Sequence, residues 1–162
     1  MVQSYFESEK KAAFVLLALG LLDCSVASVF FISAQPPFYM GLALPFAAIG
    51  VYEVIVGTNL ARSSDFQAFD LQKLLSSDPK AFVQLEAPRL EKFLRNIKYF
   101  KVFGSVLFLT GLFLMVFNKK EGFWQGVGCA LEFQGVIVQL FYLFAERRAK
   151  KYAAFVEDLV QE

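Results

Sequence analysis

Four apolar runs, at 12–34, 39–61, 99–117 and 122–146, leave the chain little freedom in what it can become. They hold 23, 23, 19 and 25 residues. A helix rises about 1.5 Å per residue, so each run is long enough to cross a hydrocarbon core of roughly 30 Å. Hydrophobic residues make up 57% of the 162, above the roughly 45 to 50% of an ordinary soluble domain, and 20 of them are Phe. The runs predict an all-α integral membrane protein: a single domain built as a four-helix antiparallel bundle. The first run could be misread as a signal peptide, but its apolar stretch exceeds the core of about 7 to 15 residues expected of one.

The connections set the topology. Gln35, Pro36, Pro37 and Phe38 form a short break, and the stretch 118–121 (Asn-Lys-Lys-Glu) forms another, so runs one and two, and runs three and four, pair as hairpins. Between runs two and three lies the longer polar stretch 62–98, which keeps helical periodicity. Leu90, Phe93, Leu94 and Ile97 make an i, i+3, i+4, i+7 stripe. Ser77 and Asp78 mark a reversal, with Asp78 as N-cap and Pro79 in the first helical position. A second restart is expected at Pro88, giving one kinked or two short helices before run three. Beyond run four, Tyr152, Phe155, Val156 and Leu159 repeat at amphipathic spacing in a C-terminal helix over 147–162. Helices two, three and four are thus expected to extend past the membrane.

Fourteen of the sixteen Lys and Arg residues fall on the side of the bundle that holds 1–11, 62–98 and 147–162. The positive-inside rule makes that side, with both termini, cytoplasmic. A bacterial inner membrane is the expected location. Trp124 reads as an anchor at the outer interface.

The absence of histidine excludes Ser-His-Asp and Cys-His catalysis, His-ligated haem and His-containing zinc sites. Cys24 and Cys129 are far apart inside apolar runs, without a Cys-x-x-Cys pair, and read as small buried hydrophobes. No phosphate-binding loop, dinucleotide fingerprint or inverted repeat is present. The chain does not point to an enzyme, a cofactor or a nucleic-acid partner.

The candidate site lies among carboxylates inside the runs. Asp23, Glu53 and Glu132 sit in runs one, two and four, where an ionised carboxylate facing lipid costs roughly 2.5 kcal/mol or more. In run four Gln125, Glu132, Gln139 and Glu146 recur every seven residues and share one face, with Tyr142 close by. Counted inward from the basic side, Asp23 and Glu132 lie about 18 to 21 Å deep, and Glu53 and Gln139 about 11 to 12 Å, which predicts two polar layers. No Lys or Arg lies as deep. The acids are therefore protonated, hydrated or paired with a bound cation. Hydrogen bonds from Ser25, Ser28, Gln134 or Gln139 would join helices if they are protonated.

The leading expectation is a cation or proton site, or route, through Asp23, Glu53 and Glu132 with Gln139, Gln125, Tyr52 and Tyr142 along it. One alternative is an accessory subunit docking a larger membrane complex, or a second copy, through its cytoplasmic helices. The other is a lipophilic-amine or lipid pocket, with acids at a cationic head and Phe along the tail. Arg62, Arg147 and Arg148 with Asp65 and Glu146 are expected to form an ion-pair network at the membrane boundary.

Overall fold

The computed structural model describes residues 1–33, 36–118 and 122–161, with side chains through residue 159 at the C-terminal end. It holds four helices: α1 (Val2–Ile32), α2 (Pro37–Ser77), α3 (Pro79–Phe117) and α4 (Gly122–Gln161). No strand occurs among the described residues. The turn expected at 118–121 lies, beyond Asn118, outside the described residues, as do Gln35 of the first break and Ala34 at the end of the first run. All four helices are long and apolar enough to cross a membrane by length and composition.

The reversal between α2 and α3 is a single residue. Asp78 is extended (φ −148°, ψ 90°), and its carboxylate accepts from the backbone N–H of Ala81 at 3.0 Å. That bond satisfies one of the donors that a helix start leaves open, and Pro79 follows where a missing N–H costs nothing. No break occurs at Pro88, so α3 is one helix of 39 residues rather than two. Proline there strips a bond from the carbonyl of Gln84. Gln84 is exposed, so water can donate to that carbonyl in place of the missing N–H.

Residues 2–11, expected to precede the first helix, instead form its opening turns. Val2, Tyr5, Phe6, Glu9, Ala12, Ala13 and Leu16 recur at three- and four-residue steps, and all are buried. This stripe meets α2, α3 and α4 in a core of Val2, Tyr5, Phe6, Leu71, Phe82, Leu90, Tyr152 and Val156. We call this the proximal end, since both ends of the chain lie here, and the opposite end distal. Leu90 is inside the core, with Phe155 and Leu159 packed against it. The two amphipathic stripes read from the sequence are thereby covered by the chain itself.

Away from that core the helices pair. α1 lies along α2 and α3 along α4, α2 against α4 joins the hairpins, and α2 and α3 touch little. Glycines let both hairpins close. A Cβ at Gly50 would stand 2.9 Å from the Gly20 carbonyl oxygen, and one at Gly111 would stand 2.5 Å from that of Gly128, so backbone meets backbone at both places. The outward faces carry large apolar side chains, among them Leu21, Ile55, Phe113 and Phe144, all more than half exposed.

Candidate functional site

The polar row on α4 faces α3. A Cβ at Gly111 would meet the Glu132 backbone N at 2.7 Å and its Cγ at 2.8 Å, placing Glu132 in the α3–α4 seam. Farther toward the proximal end, the Gln139 side-chain amide donates to the Lys101 carbonyl at 2.5 Å and to the Ser105 hydroxyl at 2.7 Å. Lys101 and Lys150 both pair with Glu146 at 2.8 Å. Gln125 is half-buried on the distal part of the same helix. This row ties two helices together through partly wet contacts, each worth at most about 1 kcal/mol.

Asp23 and Glu53 lie elsewhere. They are 5% and 3% exposed, and the α4 residue beside them is Gln134, fully buried, which donates from Nε2 to the Asp23 carboxylate. Gln134 is two residues from Glu132, about 200° around the helix, so the two belong to opposite faces of α4. Asp23 and Glu132 lie at similar depth, as expected, but on opposite sides of α4, and Glu53 comes beside Asp23 rather than into a layer with Gln139. One set, Asp23, Glu53 and Gln134, joins α1, α2 and α4; the other, Glu132, Gln139 and Glu146, joins α4 to α3.

Helix direction explains why Asp23 and Glu53 meet despite their different depths. Asp23 sits opposite Gly50, and Glu53 opposite Gly20, one turn apart. Side chains tilt toward their own helix N-terminus, and α1 and α2 are antiparallel, so the two carboxyls lean toward each other across the Gly20–Gly50 crossing. Ser25 and Ser28 do not join them. Their hydroxyls bond to the carbonyls of Leu21 and Cys24, both at 2.7 Å on their own helix. Glu53 Oε2 and Gln134 Oε1 are buried with no hydrogen-bond partner among the described residues. A buried polar atom left in that state costs about 1 to 3 kcal/mol, which a ligand or a proton could recover.

Glu53 also lines a cavity of about 500 Å³ where α2 and α3 separate. Its walls are aromatic: Tyr52 from α2, Tyr99, Phe100 and Phe103 from α3, Phe141 and Tyr142 from α4. Phe100 and Tyr142 stack at 4.7 Å with planes 3° apart. Tyr52 and Tyr142, expected near the acids, are thus both on this wall. Tyr99, Phe100 and Phe103 were not expected, because nothing polar in run three marks which face lines a cavity.

A second cavity, of about 210 Å³, continues toward the proximal end and is bounded there by Glu9, Asn96 and Arg148. Beside it, Tyr5 donates to Glu9 at 2.6 Å, and Tyr5 stacks on Tyr152 at 4.2 Å. Glu86, fully buried, accepts two bonds from Arg89 at 2.5 and 2.8 Å, and the Arg89 guanidinium stands 5.4 Å above the Phe6 ring. Burial holds the Glu9 carboxyl above its usual range, against the opposing pull of the Tyr5 bond and of Arg89 and Arg148. Burial, then the neighbouring Glu9, likewise pushes the Tyr5 hydroxyl up. Glu9 escaped the sequence reading because it sits among polar residues before the first run. Its position on the Tyr5–Ala12 stripe was the available signal.

At the helix boundary, Arg62, Asp65, Glu146 and Arg147 are not joined in one network. Asp65 pairs with Lys10 at 2.6 Å and Glu146 with the two lysines, while Arg62 and Arg147 point outward without an ion pair among the described residues. Cys24 and Cys129 are free and half-buried. Among the described residues no group of three or more His, Cys, Asp or Glu side chains could hold a metal ion. No protein-family model matches the chain, and neither a curated protein nor a solved structure matches it.

Proposed function

We propose that this chain is an integral membrane protein that binds a lipophilic cation between α2 and α3, with Glu53 holding the cationic group. The observation that carries the reading is Glu53 itself, a buried carboxyl with one oxygen unpartnered among the described residues, on a residue that lines an otherwise apolar and aromatic cavity. A volume of about 500 Å³ suits a small organic molecule. Aromatic rings attract cations through their faces, and a carboxylate out of water attracts them more strongly still. The outward apolar side chains support membrane insertion, and the concentration of Lys and Arg at the proximal end supports placing that end in the cytoplasm. Entry would be lateral, from the bilayer.

Tetraphenylphosphonium, tested against tetraphenylborate as an anion of the same shape, checks this by calorimetry on the full chain in detergent. The cation should bind, the anion should not, and Glu53→Gln should weaken the cation at least about tenfold, or roughly 1.4 kcal/mol. Equal binding by wild type and Glu53→Gln would remove Glu53 from the site.

A second reading, an inorganic cation or proton site, is favoured by the placement of the buried Asp23 and Glu53 side by side at the Gly20–Gly50 crossing. Sodium or potassium would then raise thermal stability in wild type and not in Asp23→Asn.

A further inference from the structure

The two cavities share Leu16, Tyr52, Val56, Phe100, Phe141 and Tyr142, so they form one apolar passage. Its ends differ in charge. Glu53 stands toward one end, and Arg148 with Asn96 and Glu9 bounds the other. Arg148 is half-buried. Its Nε is buried without a hydrogen-bond partner, and its guanidinium is in no ion pair among the described residues. Glu9, on the same cavity, makes no ion pair with it, and its carboxyl accepts from Tyr5 at 2.6 Å. Exposed Arg95 and Lys98 on α3, and Arg147 and Lys151 on α4, add positive charge around this end. An apolar passage of this size opening into a bilayer would fill with hydrocarbon rather than water.

We propose that the proximal cavity is an anion site for a bilayer amphiphile, whose headgroup sits against Arg148 and Asn96 while its chain fills the passage toward Glu53. The inference rests on the membrane-spanning reading above, and not on the lipophilic-cation reading. A planar guanidinium matches the oxygens of a phosphate or carboxylate, and a cation without an ion pair among the described residues disfavours amines at this end. Because one passage serves both ends, an anionic amphiphile and a lipophilic cation bound at Glu53 exclude each other.

Native mass spectrometry of the full chain, released from micelles holding phosphatidylglycerol, phosphatidylcholine or oleate, tests this. One phosphatidylglycerol should be retained per chain in preference to phosphatidylcholine. Arg148→Gln should weaken retention at least about tenfold, and Arg147→Gln, at an exposed neighbour outside the passage, should leave it unchanged. Val56→Trp, which fills the passage while keeping Arg148, should also lose the lipid and carries the test if Arg148→Gln does not fold. Oleate retained with the same Arg148 dependence, in place of phosphatidylglycerol, would support the site and identify a free fatty acid as its source. Equal retention of phosphatidylcholine, or retention unaffected by either Arg148→Gln or a folded Val56→Trp, overturns the proposal. Glu53→Gln separates the two readings: it should weaken tetraphenylphosphonium binding at least about tenfold and leave phosphatidylglycerol in place.

Discussion

Gln134 on α4 donates to the Asp23 carboxylate on α1, bonding two helices whose other packing lies in the proximal core, where Tyr5 stacks on Tyr152. Both groups are buried, and Gln134 is fully so. The bond thus fixes how the α1–α2 hairpin sits against α4, at the point where Glu53 enters the cavity wall.

Gln134→Leu should therefore cost more than a lost contact. It strips the Asp23 carboxyl of a donor inside a dry junction, at about 1 to 3 kcal/mol. Thermal unfolding in detergent reads the loss. Adding Asp23→Leu should recover part of it, because the stranded carboxyl is then gone, and a cycle of the two substitutions should be non-additive. Strict additivity would mean that the two side chains act independently.

Glu9 gives the proximal core a pH dependence of known sign. Its folded carboxyl is held above the usual value near 4.5 by burial. The folded state therefore binds the proton more tightly than the unfolded one. That contribution to stability is complete below about pH 4.5 and is lost as pH rises through the folded value. Glu9→Gln keeps an acceptor for Tyr5 but cannot ionise. The variant should gain stability over wild type as pH rises toward 8, and the difference should shrink in mild acid; parallel melting curves across this range would contradict the assignment.

The α3–α4 seam should reject any side chain at Gly111. A Cβ there would meet the Gly128 carbonyl oxygen at 2.5 Å and the Glu132 backbone N at 2.7 Å, so the helices must part. Gly111→Val should cost about 3 kcal/mol or more, or prevent folding. Gly122→Ala is the control. Among the described residues its Cβ would meet nothing closer than 3.5 Å, an ordinary contact, and the effect should stay within about 0.5 kcal/mol. If both variants melt alike, the seam is looser than described.

Much of the architecture was legible from local pattern alone. Apolar run length announced four long helices, and Asp78 with Pro79 announced the reversal between α2 and α3, because capping is a contest among neighbouring residues and needs no distant partner. The opening turns of α1 were less legible. Tyr5, Phe6 and Glu9 have helical spacing, but their burial depends on Leu71, Phe82 and Tyr152 from three other helices.

The seven-residue row from Gln125 to Glu146 marks the limit of such reading. Periodicity determines that its residues share a face; it says nothing about which helix covers that face. Packing assigned it to α3, leaving Gln134, on the far side of α4, to meet Asp23. The convergence of Asp23 and Glu53 likewise needed the antiparallel crossing at Gly20 and Gly50, where two side chains tilt toward each other from different depths. The passage is a property of tertiary structure alone, since it exists where α2 and α3 fail to touch and no residue in either helix encodes the gap by itself.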